Sequence, residues 1–368
     1  MKKILLITPF APSDEAAAEK VTKRNIELLS EFFLIDIVYF KYVYNSRYNP
    51  PNSNVKIIEE VSISLFSKIL SILQYPIVSP YFTVRFNIKL ARSIKSHVDK
   101  NLYDLIILDN AQSYIYGRYF PNIHKILIAH DVILQRVSRK HGWFQRLICK
   151  SSEKRMMTQP NSTVFTFSDK DIQLIALNYG IQARLTSVNI DILSINACPN
   201  KIDDYFVFFG QWKRKDNYYG LLWFLREVYP RLNKNIRFKI IGGGMRSKHR
   251  EMLSCYDNIE ILGFIENPYQ IISEAKALIS PLFSGAGVKV KVLEAFACGT
   301  PVIGGEVAFE GIPLIYSKLM VFADSKEDYA NAIKTINYSL SVRRELKSFF
   351  VENYVSHQVV DYIKERLL

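Results

Sequence analysis

The residues best suited to chemistry lie in the stretch 283–311, FSGAGVKVKVLEAFACGTPVIGGEVAFEG. Four small residues, Ser284, Gly285, Ala286 and Gly287, lead through Val288 into a short amphipathic segment. That segment carries Lys289, Lys291 and Glu294 and stops at Gly299, before a buried strand over 301–303. A glycine loop opening a helix presents backbone N–H groups without intrahelical partners, beside the positive end of the helix dipole, and this suits a phosphate. Cations stabilise a helix at its C-terminal end, so lysines in the first turn point to a ligand instead. Lys291 and Glu294, three apart, share a face: a cation for a diphosphate and a carboxylate for a sugar hydroxyl.

The elements that must position these groups follow from the apolar pattern. Strands are predicted over 3–8, 34–39, 104–109, 125–129, 163–167, 205–209, 237–241, 258–262 and 277–280, with helices over 17–32, 84–98, 218–231 and 269–275 between them. Such alternation means parallel sheets covered on both faces. It restarts near Tyr205, after a polar, irregular segment over 189–204 that contains Pro199. Two Rossmann-like domains with a cleft between them result, and ligands in such sheets sit at the C-terminal ends of the strands. In LIAHDVILQR, His130 ends one of those strands, with Asp131 and Arg136 as weaker candidates. Ser168 and Asp171, in FTFSDKDI, read as a helix N-cap. The glycines 242–244 read as a turn after a strand, and the last stretch, 342–368, as helix.

At 368 residues the chain exceeds one comfortable core, in keeping with two domains. Cys149, Cys198, Cys255 and Cys298 show no CxxC spacing, which argues against a zinc site or disulfide framework and fits a reducing compartment. The apolar run at the start covers only residues 4–7, so MKKILLITPFAP reads as a first strand and not a signal peptide. No run reaches the ~20 apolar residues of a spanning helix. The net charge of +13 is uneven: residues 1–195 hold 25 Lys and Arg against 16 Asp and Glu, and residues 196–368 hold 23 against 19. An anionic partner for the N-terminal half is expected, and no nucleic-acid motif accompanies the charge. An anionic membrane surface or a phosphate-bearing lipid fits better. Two stretches suit a membrane: 136–155, with seven basic residues, one acid, Trp143 and Phe144, and the apolar 65–82. Both also fit ordinary amphipathic helices packed on a domain.

GAGVKVKVLEAFACGTPVI resembles the donor-site signature of family 4 glycosyltransferases, retaining enzymes of the GT-B fold. FVFFGQWKRKDNYYGLLWFLREVYPRL, FKIIGGG, NIEILGFIEN and AKALISPLFSGAG resemble the preceding elements of that family in order, so the likeness covers about 205–312. It implies an α/β GT-B protein with two Rossmann-like domains facing across a cleft. Residues 1–195 form the acceptor domain, 196–345 the nucleotide-sugar domain, and 346–368 a helix crossing back. By the same resemblance Glu294 hydrogen-bonds the ribose, Lys291 contacts the diphosphate with Lys289 as its basic neighbour, and His130 contacts the donor sugar near the reacting carbon. His130 and Lys291 are thus the catalytic candidates. The backbone of Gly285, Ala286, Gly287 and Val288 meets the sugar, Phe264 and Ile265 edge the base, and Gly210 and Asn217 complete the donor site.

The chain departs from the wider family at three positions. Ala286 stands where a second glutamate, eight before Glu294, is common, and Gln211 and Asn217 replace an arginine and a lysine. The loss at 286 removes a candidate nucleophile and favours front-face substitution over double displacement. No DxD lies in a suitable setting, since Asp203 and Asp204 fall in the linker, so neither metal nor cofactor is expected. The implied activity is retaining, metal-independent sugar transfer from a nucleotide-diphosphate donor, UDP-linked first and GDP-mannose second, to a hydroxyl of a lipid-linked or cell-surface glycan. Capsule, O-antigen or lipopolysaccharide core assembly, on the cytoplasmic side and peripheral to the inner face of the plasma membrane, is the implied setting. The alternative is a catalytically silent GT-B scaffold or glycan-binding subunit, which the three departures favour. The sequence argues against a dehydrogenase, because the first strand runs into Pro9 and not GxGxxG.

Overall fold

The structure, a computed structural model, describes residues 1–42, 47–75, 77–354 and 358–368. Two compact units divide the chain, Met1–Val188 with His357–Leu368, and Asn189–Ser356. The first holds seven parallel strands: β1 Lys3–Thr8, β2 Leu34–Tyr42, β3 Val55–Ile63, β4 Leu105–Asp109, β5 Lys125–Ala129, β6 Ser162–Thr166 and β7 Arg184–Leu185, in the order β3-β2-β1-β4-β5-β6-β7. The second holds β8 Tyr205–Phe209, β9 Arg237–Ile241, β10 Ile259–Gly263, β11 Leu278–Ser280, β12 Val302–Gly304 and β13 Met320–Phe322, in the order β10-β9-β8-β11-β12-β13.

Central strands such as ILLI in β1 and LIIL in β4 are fully buried, as parallel strands covered on both faces must be. β3, β7 and β13 were not anticipated. β3 mixes charged and apolar residues without strict alternation at a sheet edge, and the other two are only two and three residues long. Both sheets reverse direction of growth at one point, β1/β4 and β8/β11, and ligands in this architecture bind at the carboxyl ends beside such a point.

Element boundaries moved for identifiable reasons. The helix expected over 84–98 runs instead over Ile88–Lys100, because the Asn87 side chain accepts from Lys89 and Leu90 N–H and sets the start there. The segment expected as an irregular linker, 189–204, contains the helix Ile192–Asn196, capped by Asp191. That helix belongs to the second unit, where Ser194 O accepts from Cys298 Sγ at 3.6 Å, so the division falls at Val188 and not at 195. The helix Leu340–Tyr354 also stays with the second unit. Only the last helix, Gln358–Leu367, joins the first, through Gln358 Oε1 accepting from Ser187 N–H at 2.6 Å and Tyr362 Oη meeting Thr163 Oγ1 at 3.1 Å.

Arg343 explains why Leu340–Tyr354 stays. Its guanidinium is fully buried and donates to the carbonyls of Gly299, Ala275 and Ser273 and to Thr300 Oγ1, the last three at 2.9, 2.7 and 2.8 Å. It thereby ties this helix to the end of the Val290–Ala297 helix and to the segment leading into β11. Arg343→Ala leaves these carbonyls buried and unpaired, and a loss of about 3–5 kcal/mol is expected in urea unfolding. A loss below about 1 kcal/mol sinks the assignment of Arg343 as a clamp.

Candidate functional site

The second unit places the sequence-derived residues around the β8/β11 switch. After β11, Pro281 leads into the loop 282–289, where Gly285 and Gly287 take φ values of 129° and 69° that strain other residues. Gly242, after β9, lies so close to the turn after β8 that an added Cβ would stand 1.9 Å from Gly210 O. The helix Val290–Ala297 follows, with Lys289 in extended conformation at its N-cap. Among the described residues, no acceptor pairs with the backbone N–H of Ala286, Gly287 or Val288.

Lys291 leans across to the β8 turn, where its Nζ donates to Asn217 Oδ1 at 3.1 Å while Asn217 Nδ2 donates to Gln211 O at 3.0 Å. Asn217 packs directly on Gly210. Of the three departures from the family pattern, Asn217 thus holds the lysine that remains, steadied in turn by the backbone carbonyl of residue 211. Burial, aided by Arg214 and Lys289, pushes the Lys291 ammonium down to about 7. Lys289 turns elsewhere. Its Nζ donates to Gly287 O at 2.6 Å and lies 3.5 Å from Glu310, so it braces the loop.

Glu294 is buried and lies apart from Lys291's partners. The Tyr269 hydroxyl stands 2.9 Å from Glu294 Oε1 and 3.0 Å from Asp191 Oδ2, so two carboxylates converge on one phenolic proton. Phe264, exposed, and Ile265, half-buried, follow β10 and lead into the helix Tyr269–Glu274 that carries this tyrosine. Tyr269 and Asp191 escaped the sequence reading, because neither belongs to a local motif with Glu294.

In the first unit, His130 follows β5. Its Nε2 lies 2.8 Å from Asp109 Oδ1, and the ring meets Phe167 and Phe10 edge-on. Asp109 ends β4 and is buried; its other oxygen takes Thr22 Oγ1 and, at 3.4 Å, Thr8 Oγ1. Asn110, next to it, adopts φ 68° and ψ 148°, a strained conformation for a residue with a side chain. Burial alone would lower the His130 pKa, but the Asp109 charge outweighs it and the net direction is upward. Asp131 pairs with Arg136. Just beyond, the buried Glu153 accepts from Ile133 and Leu134 N–H at 2.7 and 2.8 Å and from Tyr179 Oη at 2.6 Å. It bolts down the start of the helix Ile133–Ser138 that follows His130. Ser168 accepts from Asp171 N–H at 3.1 Å, the N-cap expected.

Asp109→Asn removes the charge that raises His130, so the imidazole pKa is expected to fall. A pH titration of the imidazole resonances by NMR reads this directly, and an unchanged pKa rules out Asp109 as the charge partner.

Residues 203–337 match the family described as glycosyl transferases group 1. The chain is 28% identical over 172 residues to an uncharacterized 44.6 kDa protein in the cps region of Klebsiella pneumoniae, a match spanning 43% of this chain and less than half, 44%, of that protein. Sucrose-phosphate synthase from Thermosynechococcus elongatus superposes with a TM-score of 0.70 at 16% identity, covering 100% of this chain and 98% of that one. Anabaena HepE, solved in complex with UDP, superposes with a TM-score of 0.68 at 12% identity, covering 100% and 99%. Over residues 203–337 the chain is thus similar to the glycosyl transferases group 1, and as a whole it shares the GT-B fold of these solved structures.

Proposed function

We propose that this protein moves a sugar from a nucleoside-diphosphate donor, UDP-linked before GDP-mannose, to a glycan hydroxyl, with retention and without a metal ion. The observation that carries the reading is Lys291, held by Asn217 beside the unpaired amides of Ala286, Gly287 and Val288. Together they form a preorganised site for a departing diphosphate. The bond between the anomeric carbon and the diphosphate oxygen breaks, and its electron pair leaves with the diphosphate. The lysine and the amides take up that charge. The acceptor hydroxyl attacks the same face and passes its proton to the departing oxygen, which needs no protein nucleophile and fits Ala286. By the resemblance, His130 is the residue for the donor sugar, and the Asp109 charge favours its imidazolium form. Glu294 receives the ribose hydroxyls. HepE's complex with UDP supports a uridine donor, and the Klebsiella relative's cps region supports a cell-surface polysaccharide as acceptor.

Calorimetric titration with UDP and GDP, followed by turnover across a UDP-sugar panel, tests the reading. UDP is expected to bind, and Glu294→Ala and the isosteric Glu294→Gln to weaken it about tenfold or more, the value of a hydrogen bond to a charged group. Wild-type affinity in both variants sinks the ribose assignment. Absence of UDP and GDP binding in the unmodified protein leaves the silent scaffold, which Ala286 otherwise favours, as the better reading.

Lys291 adds a pH signature. Near pH 7 the free ammonium is half deprotonated, and a bound diphosphate raises its pKa again. Binding above pH 7 therefore requires proton uptake. UDP affinity is expected to fall by up to about tenfold per unit as pH rises from 7 to 9, above the last phosphate ionisation near 6. Lys291→Met should bind more weakly and lose the slope. A flat wild-type profile by calorimetry contradicts the assignment.

A further inference from the structure

Between the turns that lead into β5 and β6, the first unit holds a cavity of about 540 Å3, within the range of small-molecule sites. One wall carries Gly117 and Arg118, from the segment before β5. The other carries Ser151, Lys154 and Arg155, from the end of the helix Trp143–Met157, and Gln159, from the turn before β6. These turns run at the amino ends of the strands, whereas Asp109 and the residues leading to His130 lie at the carboxyl ends. No carboxylate lines the cavity among the described residues.

Arg118, Lys154 and Arg155 are exposed, and among the described residues none of the three side chains makes an ion pair or hydrogen bond. Three like charges around one hollow repel one another, and a bound anion relieves that repulsion. The dipole of Trp143–Met157 favours Lys154 and Arg155 in its last turn, but it accounts neither for Arg118, on another element, nor for the hollow.

Gln159 is an independent mark of a ligand. It is only 9% exposed, and its Nε2 donates to Tyr114 O at 2.9 Å and to Met156 O at 2.6 Å. Those two carbonyls fix the orientation of the amide. Its Oε1 is buried without a hydrogen-bond partner. That oxygen lies against Gly117, where an added Cβ would stand 2.5 Å from it and 2.4 Å from Leu108 Cδ1, so glycine keeps this wall open. A buried acceptor without a donor is costly, and a proton donor of a ligand, or a water held with it, completes the oxygen.

We infer that this cavity binds a small soluble phosphate compound, with its phosphate oxygens on Arg118, Lys154 and Arg155. Guanidinium forks take phosphate oxygens in pairs, and lysine adds a point charge. A phosphate monoester carries about 1.5 to 2 negative charges at pH 7 and three acceptor oxygens, a closer match to three cations than one carboxylate. Lys154 and Arg155 adjoin Glu153, which holds the backbone just after His130, so ligand contacts fall on the helical turn that fixes that loop. The inference stands on the first unit alone and is independent of the donor reading.

Calorimetric titration of the full chain with inorganic pyrophosphate, under saturating UDP to occupy the donor loop, tests it. Pyrophosphate is expected to bind. The double variant Arg118→Ala, Lys154→Ala should bind about tenfold or more weakly, the value of a hydrogen bond to a charged group. Ser151→Trp, which fills the hollow from an exposed position, should abolish binding. Lys56→Ala with Lys100→Ala, two exposed lysines elsewhere on the unit, should leave it unchanged. Circular dichroism verifies each fold, and UDP titration of the same preparations reports on the donor reading separately. Absence of binding at millimolar pyrophosphate overturns the inference, as does wild-type affinity in the folded double variant or in Ser151→Trp. An equal loss in the Lys56 and Lys100 control assigns the effect to diffuse charge and overturns it. Binding lost in Lys291→Met and kept in the double variant assigns the anion to the loop 282–289 and overturns it too.

Discussion

The buried guanidinium of Arg343 is the constraint on which the second unit depends. The Val290–Ala297 helix has eight residues, too few to be stable alone, so its ends must be held by tertiary contacts. Its C-terminal end is saturated: Arg343 takes Gly299 O, and Lys347 Nζ donates to Ala297 O at 2.7 Å. Both are cations where the dipole favours them. Burial drives the Arg343 pKa down to about 10, a strain the carbonyl cage offsets without any carboxylate. At the other end, among the described residues, the amides of Ala286, Gly287 and Val288 have no acceptor. The helix is thus fixed from behind and left open in front, which is how a ligand site is built without making the element depend on the ligand.

The first unit solves a similar problem with buried carboxylates. Asp109 orients His130 from the end of the neighbouring strand, and Glu153 holds the backbone two residues beyond the histidine's own neighbour. Burial raises the Glu153 carboxyl to about 7, even though three donors stabilise its anion. Such groups persist where position matters more than stability. The strained Asn110 beside Asp109 fits the same pattern.

What was legible in the chain was local. The loop 282–289, its lysines and glutamate, the alternation of strands and helices, and His130 at a strand end all follow from short-range spacing. Asp109 was not legible, because its role arises from β4 pairing with β5, which sets Asp109 opposite Ile128, beside the residues leading to His130. Tyr269 and Asp191 reach Glu294 from 25 positions away in one case and from another segment in the other. The domain boundaries shifted because a short capped helix and one buried arginine decide which unit a segment joins. The stripe over 65–73 was visible as amphipathic, but a helical period does not say which side faces the core. Here the polar side does, with Ser71 buried and Leu65 and Phe66 exposed.

Ala286 shows how a departure from a family pattern can be coherent with its surroundings. A carboxylate at this position would stand in a loop whose amides await an anion, in a segment that also carries Lys289 and Lys291. It would compete for those donors in the empty site. Alanine leaves them to the ligand, while Asn217 in place of a lysine keeps one cation fewer in a crowded neighbourhood where Arg214 and Lys289 already depress Lys291. A further lysine there would push Lys291 lower and weaken its charge at neutral pH. The loss of one carboxylate at 286 thus offsets only one of the two cations lost at 211 and 217, and the net electrostatics toward a diphosphate rests on Lys291 and the loop amides.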